Sequence, residues 1–340
     1  MGITRPEMIV VFAVLASALL SAVLIIALKP LLIRYALARP NARSSHRAPT
    51  PQGGGIAVLA ATIVIAGIGA VWIALPFWDF TIVLAAAVVF AVIGTADDIR
   101  PMPVWLRLAM QFAGVMAVVS QSDVRLFPDF VPHILEWSIL VFGGVWFVNL
   151  VNFMDGLDWI SVAEMVPITA FVAGLGLFGV IPMWIAVLAA ALCGALLGFA
   201  PFNKPVARLF LGDVGSLSIG LLVGWMLLQL AGTGALAAAI LLPLYYLMDA
   251  TITLLRRLAR GEKVWEAHRS HFYQKATDNG FSVLAVDANV FGLNLVLAAL
   301  AAMTLVWPSG AVQIAAFALG AVLVGLVLRR FSQPRPEVSR

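Results

Sequence analysis

Five aspartates of this sequence lie in short polar segments that border long apolar stretches. They are Asp97 and Asp98 in GTADDIRP, Asp155 and Asp158 in NLVNFMDGLD, and Asp213 in FLGDVGS. Several carboxylates cannot lie close together in the ionised form unless a cation or a proton compensates their charge. Carboxylate oxygens are preferred ligands of Mg²⁺ and Mn²⁺, and Mg²⁺ commonly shares one or two carboxylates with substrate phosphates. The pattern predicts a Mg²⁺ site in which Mn²⁺ could substitute; helix capping by each aspartate is the structural alternative.

Two amide side chains precede Asp155 at helical spacing. Asn149, Asn152 and Asp155 occupy positions i, i+3 and i+6, which lie on roughly one face of a helix. A stripe of amide and carboxylate groups can pair with the donors and acceptors of a nucleobase or a sugar. The stripe therefore predicts substrate binding, and hydrogen bonding between helices is the alternative.

A glycine run follows the proline-rich turn in PTPQGGG. Gly53, Gly54 and Gly55 lack side chains, so a ligand could approach their backbone closely. A plain turn before a helix is the competing interpretation, and the lysine of a phosphate-binding P-loop is missing from this run. We expect these glycines to contact substrate.

Two histidines and an arginine lie in a long polar segment near the C-terminus. His268 and His271 are three residues apart in AHRSHFYQ, with Arg269 between them. On a helix, side chains three apart share a face, and an arginine suits phosphate or pyrophosphate. We expect these three residues to bind substrate; a zinc site and a basic loop at lipid headgroups are the alternatives.

The composition excludes a water-soluble protein. Hydrophobic residues make up 62% of the 340 residues, only 11% are charged, and the mean hydropathy is +1.03. The single cysteine, Cys193, excludes an internal disulfide and a multi-cysteine metal site. The first apolar stretch, from about residue 8 to 28, is too long for a signal-peptide core and is read as a retained transmembrane helix.

Apolar windows long enough to cross the hydrocarbon core of a bilayer recur along the whole chain. They predict an all-α integral membrane protein with about eleven transmembrane helices in one domain, residues 1–340. The predicted spans are approximately 8–28, 55–75, 80–96, 104–121, 137–152, 162–180, 182–200, 214–231, 234–255, 288–307 and 310–328.

The positive charges define an orientation, because short cytoplasmic loops are enriched in Lys and Arg. Of the 21 Lys and Arg residues, only Arg5 and Arg125 fall on the side assigned as external. This places the N-terminus outside and the C-terminus in the cytoplasm. The predicted cytoplasmic segments are 29–54, 97–103, 153–161, 201–213, 256–287 and the tail 329–340. They carry most of the candidate residues, and Gly55, Asn149 and Asn152 lie at the cytoplasmic ends of the adjoining spans.

The function class follows from where the polar groups concentrate. The net charge of +4 is explained by orientation and by contact with anionic lipid, so no nucleic-acid partner is expected. An ion-coupled transporter would also combine many spans with acidic residues, but transporters place their sites near the middle of the bilayer. Acids at one face favour chemistry at the membrane surface.

The five motifs together resemble a known family. PTPQGGG, GTADDIRP, NLVNFMDGLD, FLGDVGS and AHRSHFYQ follow one another in the order of the signature loops of the polyprenyl-phosphate N-acetylhexosamine-1-phosphate transferases (glycosyltransferase family 4, which includes MraY and WecA). The resemblance covers about residues 43 to 280. The last motif departs from the HIHH-like stretch common in the family and resembles the WbpL-type enzymes that initiate O-antigen synthesis, which argues against an MraY-type assignment. Trp159 also replaces a glycine that is common after the second aspartate of its motif.

The resemblance implies a reaction and roles for the candidate residues. The reaction is transfer of an N-acetyl-amino-sugar 1-phosphate from a UDP-N-acetyl-hexosamine to undecaprenyl phosphate, releasing UMP at the cytoplasmic face of the bacterial inner membrane. It implies Mg²⁺ bound by Asp213, and metal-proximal or base roles for Asp97 and Asp98. It associates nucleotide binding and catalysis with Asn149, Asn152, Asp155 and Asp158. A WecA-like UDP-GlcNAc donor is the alternative, a covalent intermediate and direct attack both stay open, and a homodimer is one expected assembly.

Overall fold

The computed structural model describes residues 6–38, 49–73, 77–264 and 268–335. Parts of the predicted first loop (39–48), of the fifth (265–267) and of the tail (336–340) lie outside these described residues. Thirteen helices and one small hairpin make up the described chain. The helices are α1 Pro6–Tyr35, α2 Gly54–Ile73, α3 Phe77–Ile99, α4 Val104–Ser120, α5 His133–Met154, α6 Ile160–Leu177, α7 Met183–Asn203, α8 Asp213–Gly232, α9 Leu236–Leu241, α10 Leu244–Ala259, α11 Phe272–Asp278, α12 Val283–Val306 and α13 Gly310–Phe331. The strands β1 Leu37–Ala38 and β2 Thr50–Pro51 pair antiparallel between α1 and α2.

Helices dominate because backbone groups inside hydrocarbon must be hydrogen-bonded within the chain. Proline directly precedes α4, α5 and α7, where a missing N–H costs nothing. Ser282 and Ser309 begin α12 and α13, and each side chain accepts a hydrogen bond from an amide of the first turn. Helix starts are thus encoded locally, whereas helix order in the bundle comes from packing.

Within the described residues, nine helices are long and apolar enough to cross a membrane: α1, α2, α3, α5, α6, α7, α8, α12 and α13. The all-helical, multi-pass class is therefore confirmed. Helix α4 is apolar but has only 17 residues. The predicted ninth span, 234–255, differs from the structure, because it is divided into α9 and α10 next to Pro243, which cannot donate a backbone hydrogen bond.

Two helices form the centre of the bundle. In its most apolar 18-residue stretch, α7 is 78% buried and α8 is 83% buried. The corresponding stretches of α1 and α13 are only 28% and 22% buried. Helix α7 packs against α1, α2 and α6, and α8 packs against α2, α3 and α5. The N-terminus of α8 therefore lies among several neighbours, and it is there that Asp213 begins the helix.

The segments that border the site are shorter than predicted. Helix α1 continues to Tyr35, and α3 continues to Ile99, so that Asp97 and Asp98 lie in its last turn rather than in a loop. The fifth loop contains the short helix α11, which the apolar pattern does not reveal because its seven residues are largely polar. These differences arise because helices extend beyond the hydrocarbon thickness that the span prediction measures.

Candidate functional site

The start of α8 lies unusually close to α2 and α3, and glycines make this possible. A Cβ atom on Gly55 would lie 2.2 Å from Gly215 Cα, and one on Gly94 would lie 2.4 Å from the Asp213 carbonyl carbon. Any larger residue at Gly55 or Gly94 would push α8 away from its neighbours. The contact fixes where the side chain of Asp213 begins.

The glycine run is engaged with the chain itself. The Gly54 and Gly55 amides donate to the carbonyls of Phe210 and Leu211, each at 2.9 Å, and Gly53 has a φ of 102° that suits glycine. The predicted substrate contact of Gly53, Gly54 and Gly55 stays a prediction. What the geometry shows is that this run joins α2 to the segment before α8.

Asn152 joins α5 to α8. Its Nδ2 donates to Asp213 Oδ1 at 2.8 Å and to Ser216 Oγ at 2.9 Å. Ser216 lies one turn after Asp213, so the amide spans the first turn of α8. The NLVNFMD motif and the FLGD motif are therefore brought together as predicted.

Asn149, one turn deeper in α5, faces a different neighbour. Its buried Nδ2 donates to Gln111 Oε1 at 2.6 Å and to Val145 O at 2.8 Å. Gln111 belongs to α4 and is fully buried. The structure divides the predicted stripe, since Asn152 reaches the carboxylates and Asn149 makes the hydrogen bond between helices that was the alternative for the stripe.

Asp97 is paired with a cation that the sequence pattern did not single out for the site. Arg107 Nη1 lies 2.6 Å from Asp97 Oδ2 and 4.0 Å from Asp213 Oδ2, and the Met102 amide donates to Asp97 Oδ1 at 2.6 Å. The prolines 101 and 103 turn the chain between α3 and α4, so residues ten apart meet. The two prolines could have revealed the pair from the sequence, because a tight turn between the helices places the start of α4 beside the end of α3.

Asp98 has a buried oxygen directed at the α8 N-terminus. Its Oδ2 has no hydrogen-bond partner among the described residues, and a Cβ on Gly212 would lie 2.7 Å from it. A buried carboxylate oxygen without a partner is costly, so a cation or a proton must offset it in the working protein.

Asp155 lies between α5 and α6 and faces this cluster. Its carboxylate accepts a hydrogen bond from the Ser161 hydroxyl. Burial, together with the nearby charges of Asp213 and Asp158, raises the pKa of Asp155 to about 7. A carboxyl group with such a pKa can gain or lose a proton near neutral pH.

Asp158 is 5% exposed, and its Oδ2 accepts from the Ala207 amide at 2.9 Å. The next residue, Trp159, has a φ of 61°, and its amide donates to Asn203 Oδ1 at 2.8 Å. These bonds hold the segment after α5 against the end of α7. The predicted catalytic role of Asp158 stays a prediction beside this visible anchoring.

The histidine segment before α11 is ordered by ring stacking and by an ion pair. The rings of His268 and His271 stack with centroids 4.7 Å apart, although neither residue lies in a helix. Burial, followed by the charges of His271 and Arg257, lowers the pKa of His268 to about 4, so its ring is neutral at pH 7. Arg269 forms an ion pair with Asp278 at 3.0 Å and therefore already has a carboxylate partner.

The short helix α11 connects this segment to the Asp155 loop. Tyr273 OH donates to Phe153 O at 3.1 Å. Asp249, a polar residue without a role in the sequence analysis, accepts from the first amides of α11. Its signal was an acid inside an otherwise apolar stretch, which marks a buried polar contact.

The residues fit a divalent cation only if substrate completes its shell. No group of three or more His, Cys, Asp or Glu side chains within the described ranges is arranged to hold a metal ion. Mg²⁺ usually keeps waters and takes one or two carboxylates with substrate phosphates. Asp213 and the unpartnered oxygen of Asp98 supply such a pair, so the chemistry of the predicted Mg²⁺ site fits these residues.

Several known proteins are similar in sequence to this chain. Residues 80–231 match the model of the family described as glycosyl transferase family 4. A phospho-N-acetylmuramoyl-pentapeptide-transferase of Synechococcus sp. (strain JA-3-3Ab) is 30% identical over 322 residues, covering 87% of this chain and 92% of its own. A decaprenyl-phosphate N-acetylglucosaminephosphotransferase of Mycobacterium leprae is 25% identical over 306 residues, covering 73% and 71%. A probable undecaprenyl-phosphate N-acetylglucosaminyl 1-phosphate transferase of Bacillus subtilis (strain 168) is 25% identical over 259 residues, with the same coverage.

These similarities extend over nearly the full length of the Synechococcus protein and include every helix that contributes a site carboxylate. The family predicted from the five motifs is thereby confirmed. The chain belongs to glycosyl transferase family 4, with the polyprenyl-phosphate hexosamine-1-phosphate transferases, and is a multi-pass membrane transferase.

Proposed function

We propose that the protein transfers an N-acetyl-amino-sugar 1-phosphate from a UDP-sugar to undecaprenyl phosphate, and so begins the synthesis of O-antigen or another envelope polysaccharide. The observation that carries the proposal is the convergence of Asp98, Asn152 and Asp213 with Arg107 at one end of the bundle. A soluble anionic donor and a lipid-linked anion meet where one end of a membrane bundle offers both carboxylates and a cation.

The proposed reaction is a displacement at phosphorus. An oxygen of the lipid phosphate attacks the β-phosphorus of the UDP-sugar, the bond from that phosphorus to the oxygen bridging the two phosphates breaks, and UMP leaves with this oxygen. Such transfers depend mainly on positioning and on stabilisation of charge. When bound, Mg²⁺ supplies positive charge to the phosphate oxygens.

The residues of the chain divide this work. Asp213 is the proposed cation ligand, and the open oxygen of Asp98 serves either as a second ligand or as the acceptor of a proton from the lipid phosphate. Asn152 fixes the orientation of the Asp213 carboxylate, and Arg107 adds a positive charge 4.0 Å from it. Asp155, whose pKa is about 7, lies beside them as a group that can exchange a proton with the reacting phosphates.

The donor nucleotide is assigned to the side of the site formed by the segment 153–158 and the histidines. His268 and His271 offer two stacked rings, which suit a planar base or a sugar face better than a metal ion. The proposed location is the cytoplasmic face of the bacterial inner membrane, which the distribution of Lys and Arg supports.

The test is release of UMP by purified protein that is given undecaprenyl phosphate, Mg²⁺ and a panel of UDP-N-acetyl-hexosamines, with and without chelator. We expect turnover with one donor and its loss on chelation. Asp213→Asn should abolish turnover, whereas Asp129→Asn, an exposed aspartate outside the site, should leave it intact. Folded protein without turnover on any donor would contradict the proposal.

Two donors distinguish the alternatives within this reaction class. UDP-GlcNAc tests the WecA-like alternative, which the names of the Mycobacterium and Bacillus relatives favour. UDP-N-acetylmuramoyl-pentapeptide tests the activity in the name of the Synechococcus relative. The HRSHFYQ segment is the reason for proposing an unmodified amino-sugar donor instead of the pentapeptide form.

A further inference from the structure

We propose that Asp249 is a positioning residue that holds α11, and through α11 the nucleotide side of the site, in its working place. The inference rests on the proposed function. It concerns a buried carboxylate in α10 that does not itself belong to the cluster around Asp213.

Asp249 is fully buried and collects hydrogen bonds from a distant part of the chain. The amides of Phe272 and Tyr273, the first residues of α11, donate to its Oδ1 and Oδ2 at 3.0 and 3.1 Å. These amides have no partner within their own helix, because a helix leaves its first N–H groups unsatisfied. A short helix of seven residues depends strongly on such an external cap.

Side chains complete this clamp. Tyr245 OH donates to Asp249 Oδ2 at 3.2 Å, Thr253 Oγ1 donates to Oδ1 at 3.4 Å, and His271 Nδ1 lies 3.3 Å from Oδ1. The carboxylate thus holds both the start of α11 and the histidine directly before it. His271 in turn stacks on His268, so the position of both rings depends on Asp249.

Helix α11 passes this constraint to the segment between α5 and α6. Tyr273 OH donates to Phe153 O at 3.1 Å, two residues before Asp155. A Cβ on Gly156 would lie 2.3 Å from Tyr273 Oη, so the two segments are in direct contact. Loss of the Asp249 clamp should therefore displace the histidines and the Asp155 segment while leaving the Asp98–Asp213 end in place.

The chain offers a matched control in Glu136. This carboxylate is also fully buried, and it accepts hydrogen bonds from the backbone amides of Leu126 and Phe127. It also forms an ion pair with Arg125 at 2.7 Å. It lies near the other end of α5, about 27 Å from Met154 at a rise of about 1.5 Å per residue. Glu136→Gln removes the same kind of interaction without reaching the site.

The experiment compares Asp249→Asn, Tyr273→Phe, the double variant and Glu136→Gln in kinetics and amide hydrogen exchange. Asp249→Asn should lower kcat/KM for the UDP-sugar about 10- to 100-fold, the range for misplaced reacting groups, with KM for the lipid phosphate unchanged. The Phe272 and Tyr273 amides should lose protection in Asp249→Asn and keep it in Glu136→Gln. Tyr273→Phe should also lower kcat/KM for the UDP-sugar. In the double variant, the fold-loss of kcat/KM should be smaller than the product of the two single fold-losses.

Each outcome separates the alternatives. Wild-type kinetics in Asp249→Asn, or retained protection of α11, would overturn the inference. Equal losses of kcat/KM in Asp249→Asn and Glu136→Gln would show general destabilisation and would also overturn it. If Asp249→Asn does not fold, Tyr273→Phe decides alone, with an unchanged kcat/KM counting against the link. If wild-type protein has no turnover, the proposed reaction fails, and UDP binding by the wild type and the same variants tests the clamp instead.

Discussion

Asn152 Nδ2 lies 2.8 Å from Asp213 Oδ1, although 61 residues separate the two in the chain. The same amide also donates to Ser216, so one side chain from α5 is held across the first turn of α8. A carboxylate bound in this way keeps one oxygen for its amide partner and the other for a ligand. This relationship makes the orientation of Asp213, and not only its charge, a property of the fold.

Replacing Asn152 tests that orientation. We expect Asn152→Ala to lower kcat by about 10- to 100-fold, because Asp213 loses the donor that orients it. Asn152→Asp should be worse, since it places a second negative charge beside Asp213. UMP release at saturating substrates is the measurement, and a kcat unchanged in Asn152→Ala would contradict the assigned role.

Asn149 should behave differently despite lying one turn away in the same motif. Asn149→Ala leaves the buried Gln111 without its partner, which costs about 1–3 kcal/mol of stability. The expected result is a lower Tm with kcat largely retained below the transition. Loss of turnover without loss of Tm would instead support the substrate-binding role predicted from the sequence.

Arg107 is expected to matter for charge balance. Arg107→Met removes the cation that pairs with Asp97 at 2.6 Å and lies near Asp213. Turnover should fall by at least tenfold, and half-maximal activation should shift to a different Mg²⁺ concentration, because the carboxylates are no longer partly neutralised. Titration of activity with Mg²⁺ in both proteins is the measurement. An identical activation curve would separate Arg107 from the cation site.

The pKa of Asp155 predicts a pH-dependent contribution to stability. Its folded-state pKa is raised to about 7 from 3.8, so between these values the folded protein binds more protons than the unfolded chain. This contribution is fully present below pH 3.8 and is lost as the pH rises through 7. The Tm of wild type relative to Asp155→Asn should therefore fall between pH 5 and pH 8. A difference that rises over this window would contradict the assignment.

The contribution of His268 to stability should change with pH in the opposite direction. Its folded-state pKa is lowered to about 4 from 6.5, so the unfolded chain binds the extra proton between these values. The contribution is present above pH 6.5 and is lost as the pH falls toward 4. The Tm of wild type relative to His268→Gln should rise from pH 4.5 to pH 7. Because the two residues predict opposite signs, measuring both variants guards against a shared effect of pH on the detergent micelle.

Much of the site was predictable, because apolar windows and short motifs can be recognised from neighbouring residues in the sequence. Apolar windows located most of the helices. The polar residues at the ends of these windows predicted that Asp98, Asn152 and Asp213 belong to one site. The pairing of Arg107 with Asp97 and the clamp at Asp249 were not predicted, because both depend on tertiary contacts between segments of different helices. Pro243 likewise divided a span that hydropathy treats as continuous, since average hydropathy does not register a missing backbone donor.

The close approach of Gly94 in α3 to the backbone of Asp213 in α8 has a consequence for handling the protein. The spacing between the carboxylates of α3 and α8 is set by direct contact of helix backbones, with no side chains to absorb a change. A detergent that swells the bundle by even one ångström would separate these groups while every helix stays intact. Inactivation in harsh micelles should therefore precede any loss of circular dichroism, and restoring a tightly packed lipid environment should restore turnover.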